Sequence, residues 1–338
     1  MLISFVRSTP ARPLDHLTEI GFAATELVPS WTAATPEGTW VELSLQARTT
    51  TGALTKWYAM GRWTAHDEPA RTSVPGQGDD DGDVAVDTFV ARRPVTAFRL
   101  RAVVHGDGAR LTSLGVLASA VPRRPSVPVS SPASAEPVEL AVPPYSQKVH
   151  DGHHPQWDGG GANWCAPTSV TMVLGYWGLG PDPRELAWVG AADPCPAVDH
   201  AARGMYDHSY QGTGNWPFGV AYAGRYGLTG LVTRLRSAVE LERLVRAGIP
   251  VITSQSFKEH ELPGSGYSTS GHIMVVVGFT SGGDVIVNDP AALEVRRVYP
   301  RAAFENVWLR SQPGAGTGGI VYVLHPPGHP LPPSEGNW

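Results

Sequence analysis

The spacing of apolar residues changes character partway along the chain. In residues 1–120 the repeat is two. Trp40-Val41-Glu42-Leu43-Ser44-Leu45-Gln46-Ala47-Arg48 alternates for much of its length, and Thr96-Ala97-Phe98-Arg99-Leu100-Arg101-Ala102-Val103-Val104 does so more clearly. Successive strand side chains point to opposite faces, so this pattern predicts strands with one buried face. Lys56-Trp57-Tyr58, Arg62-Trp63 and Val84-Ala85-Val86-Asp87-Thr88-Phe89-Val90 lie between them among turn-rich stretches, and no helix of convincing length occurs. Short strands joined by such turns predict an all-β sandwich of jelly-roll type.

After residue 140 the repeat is mixed. Val170, Val173, Leu174 and Trp177 share one helical face, and Pro167 suits a first turn, which predicts a helix beginning near Cys165. Ser237 to Gly248 carries Leu241, Leu244 and Val245 at helical spacing and stops at a glycine; Ile249-Pro250-Val251-Ile252-Thr253-Ser254 then reads as a strand. Gly271-His272-Ile273-Met274-Val275-Val276-Val277-Gly278-Phe279 is an apolar, β-branched run closed by Ser281-Gly282-Gly283-Asp284, and Val285-Ile286-Val287-Asn288-Asp289 follows it. These elements predict an α+β unit over 141–327, followed by a tail, 328–338. Residues 121–140 are rich in proline and serine without either periodicity, and read as an extended linker between the two units.

Composition narrows the classes. The chain has 338 residues, 38 glycines, 31 prolines and 17% charged residues, which suits loop-rich β and α+β domains and is ample for two cores. A formal charge of -5 offers no electrostatic case for nucleic acid, and no segment approaches the length of a membrane span. The two cysteines, Cys165 and Cys195, are expected to be free, because pairing them would remove the one candidate nucleophile. Met1 to Arg7 is too short for an export signal's apolar stretch.

The chemistry converges on Cys165. A thiol at a helix N-terminus meets unpaired amide groups and the positive end of the dipole, which favour the thiolate. His272 opens a strand as a candidate base. If Gly282-Gly283 form a two-residue turn, Asp289 lies opposite Val276 and faces the same side as His272; a three-residue loop would bring Asn288 to that side instead. Either side chain could hold the imidazole tautomer. Two glutamines precede the cysteine, Gln147 and Gln156, and an amide of either could face a developing oxyanion.

The order of a cysteine on a helix start, Gly-His opening an apolar strand and an Asn-Asp-Pro strand end resembles papain-fold cysteine peptidase family 39 and its stand-alone bacterial relatives. The resemblance runs from about Val142 to about Leu324 and includes Val142-Pro143-Pro144-Tyr145-Ser146-Gln147 and Gly214-Asn215-Trp216-Pro217-Phe218. It implies a papain-like fold with Cys165 as nucleophile, His272 as base, Asp289 as orienting acid and Gln147 as oxyanion donor. The implied reaction is hydrolysis of a peptide or peptidoglycan-type amide; transfer to an amine through the same residues, or an inactive glycan-binding relative, are the alternatives. Relatives of this type are commonly exported, so an extracellular or cell-wall setting is expected.

The remaining candidates carry less. Trp57, Tyr58 and Trp63 suit either a cell-wall polysaccharide platform or a core, and the core is the stronger expectation. Asp79, Asp80, Asp81 and Asp83 lack a full calcium-loop pattern and read as a solvated turn. His150, His153 and His154 lie in a glycine-rich loop without helical metal-ligand spacing, so no metal or cofactor is expected; the loop is expected to border the cleft.

Overall fold

The computed structural model describes residues 1–9, 13–190, 192–312 and 314–338. Its first lobe contains β1 (Leu2–Arg7), β2 (Thr18–Ala34), β3 (Trp40–Thr49), β4 (Tyr58–Trp63), β5 (Gly82–Ala85), β6 (Thr88–His105) and β7 (Arg110–Ala120). Hydrogen bonds join all seven into one antiparallel sheet, in the order β1-β7-β2-β6-β3-β4 with β5 paired to β6. In β3 the alternation is realised as predicted: Val41, Leu43, Leu45 and Ala47 are buried and Glu42 and Ser44 are not fully so. Tyr58 and Trp63 are fully buried, whereas Trp57 is partly exposed with Arg101 over its ring at 4.2 Å. Asp79 organises the acidic turn, accepting from the Tyr58 hydroxyl and from the amides of Asp81 and Gly82.

The second lobe contains β8 (Val138–Glu139), α1 (Cys165–Tyr176), α2 (Pro196–Met205), α3 (Trp216–Arg225), β9 (Thr229–Arg234), α4 (Ala238–Arg246), β10 (Val251–Phe257), β11 (Thr269–Phe279), β12 (Val285–Asn288), β13 (Arg296–Tyr299), α5 (Arg301–Leu309) and β14 (Ile320–His325). The strands form a second antiparallel sheet, ordered β13-β12-β11-β10-β14-β9, with β8 on β11. Gly278 allows β8 to close in, since a Cβ there would lie 2.3 Å from the Val138 carbonyl oxygen. Period-two alternation splits this sheet between two cores. Ile273, Val275 and Val277 face the core shared with α1, α3 and the first lobe, while Met274 and Val276 face the core under α4 and α5. None of the described helices is long and apolar enough to cross a membrane.

The β11–β12 hairpin differs from the sequence reading. Thr280 and Asp284 close a three-residue loop, Ser281-Gly282-Gly283, and Gly283 takes the left-handed φ of +87° that such a loop needs. Phe279 therefore lies opposite Val285. A bulge between Val276 and Gly278 then shifts the ladder once more, so Val276 faces Val287 and not Asp289. Each shift alone would turn Asp289 away from His272; together they restore its face.

The segments read as linker and tail are docked. Arg124 and Ser311 exchange backbone hydrogen bonds, and the amides of Val127, Ser130 and Ala133 donate to Asn306, Glu305 and Glu242. Thus residues 121–137 form a strap along α5 and α4. At the other end Asn337 is buried, donating to the Arg234 carbonyl, and the Gly336 carbonyl accepts from Phe5.

The two lobes share a continuous core. Phe218 of α3 lies against both Trp31 and Trp63, with centroids 6.2 and 5.3 Å away. Buried Arg71 donates across the junction to the Tyr206 and Arg203 carbonyls, and Asp207 accepts from the amide and hydroxyl of Ser73. An arginine buried on this scale keeps its place because carbonyls satisfy its donors.

Candidate active site

Cys165 is the first residue of α1, at the floor of a cleft, and is partly exposed. Both cysteines are free, and burial pushes the Cys195 thiol up to about 12, with the charges of Asp193 and Asp199 adding to the effect. His272 enters from the start of β11, and Asp289 from the end of β12. Their side chains meet, with Nε2 of His272 at 2.8 Å from Oδ1 of Asp289. His272 and Cys165 line the same cavity. Burial works to lower the His272 pKa, but the charge and hydrogen bond of Asp289, then hydrogen bonding and charge from Cys165, outweigh it and hold the imidazole at about 10.

Asp289 is fully buried and fully bonded. Its oxygens also accept from the Tyr267 hydroxyl at 3.0 and 2.8 Å, the Tyr299 hydroxyl at 2.8 Å and the Ala291 amide at 3.1 Å. Burial alone would raise its pKa; His272 and the two phenols reverse that and hold it below the usual carboxylate range. The phenols pay the converse, both being pushed upward by burial and by Asp289. Tyr267 and Tyr299 are the residues that sequence reasoning missed: one sits in a loop and the other ends β13, and only the folded register brings them to one carboxylate. Gln255, opposite His272 on β10, was missed as well; it is buried with neither amide atom bonded.

The other candidates lie differently. Asn288 donates to the Val142 carbonyl at 3.0 Å, so it anchors the segment that follows β8 rather than the imidazole. Gln147 is buried and lines the cleft beside Cys165, its amide nitrogen donating to the carbonyls of Gly161 and Ala162 at 3.1 and 2.7 Å. Gln156 is exposed and does not line the cleft.

The first lobe supplies one wall. Ala85, Val86, Asp87 and Thr88 line the cleft together with Asp158, Asn163, Cys165, Trp216 and His272, a cavity of about 530 Å³. Asp87 is fixed there by the Trp216 amide at 2.8 Å, and burial pushes its carboxyl up to about 6. Val86 takes a φ of +59°, a strained conformation for a β-branched residue, at this wall. On the other side Gln147, Lys148, Ala162 and Asn163 line a second recess at Cys165; they flank the histidine loop, and His150, His153 and His154 line neither cavity.

Two family models match the chain. Residues 11–119 match the model of the Peptidase C39 N-terminal domain, and residues 139–315 match that of the Peptidase_C39 like family. No curated protein matches the chain. Among solved structures, a candidate C39-like peptidase from Bacillus anthracis is similar at 19% identity, with 56% of this chain and 98% of that chain covered and a TM-score of 0.35. A structure of infectious bursal disease virus, Gt strain, is similar at 15% identity over 34% of this chain and 30% of the viral one, with a TM-score of 0.16. The family-model match spans more than half of the sequence: this chain belongs to the Peptidase_C39 like family.

Proposed function

We propose that the chain is a cysteine peptidase or amidase that opens its substrate through an acyl-enzyme on Cys165. The observation that carries this reading is the His272 imidazole, bonded through Nε2 to Asp289 and lining the same cleft as the Cys165 thiol at the head of α1. In this reading the second lobe is a papain-like peptidase fold, and the first is a jelly-roll-like sandwich whose hairpin shapes the cleft.

The Cys165 sulfur attacks the amide carbonyl carbon with its proton already held on the His272 imidazolium. The carbonyl electron pair moves onto oxygen, where the Cys165 backbone amide, one of the unpaired N–H groups of a helix start, faces it. Collapse breaks the C–N bond, and the leaving amine takes the proton from His272. Water then gives a proton to His272 and attacks the thioester; the carboxylic acid leaves and the thiolate–imidazolium pair is restored. Asp289, kept anionic by two phenols, holds the tautomer and stabilises the imidazolium. Gln147 joins as an oxyanion donor on release of a bond to Gly161 or Ala162.

A digest of a peptide and muropeptide library tests both activity and substrate class. The wild type is expected to release new termini that Cys165→Ser does not. Identical digests from the two proteins, with the fold intact by circular dichroism, would overturn the proposal.

A further inference from the structure

We propose that His150, His153, Asp193 and Asp199 form a structural divalent-cation site of zinc type, tying the loop that leads into Cys165 to the start of α2. One donor atom from each of the four lies within 4.8 Å of all the others. Nδ1 of His150 is 2.9 Å from Oδ2 of Asp199 and 3.6 Å from Oδ2 of Asp193; Nδ1 of His153 is 3.2 Å from Oδ2 of Asp193 and 3.3 Å from Oδ1 of Asp199. Nitrogen and oxygen donors placed tetrahedrally around zinc at about 2.0–2.1 Å stand roughly 3.3–3.4 Å apart. The four histidine–carboxylate separations lie around that spacing, Asp199 presenting Oδ2 to His150 and Oδ1 to His153.

One hydrogen bond, between His153 Nδ1 and Asp199 Oδ1 at 3.3 Å, joins the cluster, with His154 Nε2 3.7 Å from the same oxygen, and it leaves the buried half unbonded. His150 and Asp199 are fully buried, yet both ring nitrogens of His150 and Oδ2 of Asp199 have no hydrogen-bond partner, despite the 2.9 Å approach. Lone pairs that converge on a shared centre, not on each other, give this combination of short distance and missing bond. Asp193 is held for the same purpose: its Oδ1 accepts from the Cys195 amide at 2.7 Å, which leaves Oδ2 facing the histidines. Among the described residues no lysine or arginine pairs with either carboxylate. Two buried carboxylates demand compensating positive charge, and a divalent ion with neutral imidazoles supplies it. Two imidazoles and two carboxylates suit zinc or a similar transition ion better than calcium or magnesium, which prefer oxygen alone.

The location gives the ion a task. His150 closes the short helical turn that starts at Gln147, and Gly161 packs beneath it so tightly that a Cβ there would lie 2.3 Å from the His150 carbonyl carbon. The bridged loop therefore runs from Gln147 to Cys165, and the ion would brace one wall of the cleft.

The test uses the full chain carrying Cys165→Ser, so that the cleft thiol cannot compete. The protein is stripped with a chelator and titrated with zinc against a chromogenic chelator, and with cobalt(II) for its ligand-field spectrum. One equivalent of zinc, a four-coordinate nitrogen and oxygen cobalt spectrum, and no displacement by calcium are expected. Asp199→Asn should abolish that equivalent. His153→Gln, at a partly exposed position with folding checked by circular dichroism, should weaken it by about 10-fold or more. Absence of a stoichiometric equivalent, or an equivalent of unchanged affinity in His153→Gln, would overturn the proposal.

Discussion

Two buried histidine–aspartate pairs sit in the second lobe at almost the same separation, 2.8 Å for His272–Asp289 and 2.9 Å for His150–Asp199. They differ in what surrounds them. Every oxygen of Asp289 is bonded, by the imidazole, two phenols and an amide, whereas Oδ2 of Asp199 and both nitrogens of His150 have no hydrogen bond. His272 of the first pair lines the cleft with Cys165; neither member of the second pair does. Distance alone would class them together. Satisfaction separates a closed network that fixes one tautomer from an open donor set that converges on a centre of charge.

The largest effect expected concerns the closed pair. Asp289→Asn removes the charge that supports the imidazolium and permits the wrong tautomer, so kcat/KM on any substrate found in the digest should fall on the order of 10²–10⁴-fold. A change of less than tenfold would mean that the pair is structural. Stripping a buried charge from its partner should also cost about 3–5 kcal/mol, read as a lower denaturant midpoint.

Zinc should discriminate the pairs next. At about 100 times its dissociation constant it should add roughly 2.7 kcal/mol to the wild type, seen as a higher Tm, and add nothing to Asp199→Asn. A rise in Tm that survives Asp199→Asn but vanishes in Asp289→Asn would reverse the comparison. A smaller effect is expected at the phenols. Tyr299→Phe deletes one bond to a buried carboxylate and should cost about 1.5–3 kcal/mol, with its optimum pH for activity displaced and not abolished.

The gentlest probe is pH. The folded His272 pKa is raised from 6.5 to about 10, so its contribution to stability is complete below the unfolded value and is lost as pH rises through about 10. Asp289, lowered in the fold, contributes above its unfolded value and loses that contribution as pH falls through its folded one. Denaturant midpoints of the wild type should therefore decline between neutral pH and pH about 10 more steeply than those of His272→Gln. Parallel declines would show that another group titrates there.

The same comparison explains what the chain made legible. The helix at Cys165 and the strand at His272 could be read because each carries a local period and a local boundary signal. The pairing of His272 with Asp289 was read through a register that is not the real one; the loop is a residue longer, a bulge adds the second shift, and parity survives. Neither Tyr299 nor Tyr267 was legible, since their role exists only where separate segments meet. β2 escaped for another reason. Residues 27–33 are buried on both faces, because α3 and β9 cover the side that a solvated sheet would expose, and the alternation that marks a strand is erased. The histidine loop showed its residue types but not its partners, Asp193 just before α2 and Asp199 in its first turn, some forty residues later in the chain.

Covalent labelling tests the central claim most directly. The full chain is treated with a thiol-directed acylating probe and its adducts are mapped by mass spectrometry in the wild type, Cys165→Ser and Asp289→Asn. The account predicts a single adduct on Cys165, none in Cys165→Ser, slower labelling in Asp289→Asn and no modification of buried Cys195. Equal labelling of the wild type and Cys165→Ser would contradict it.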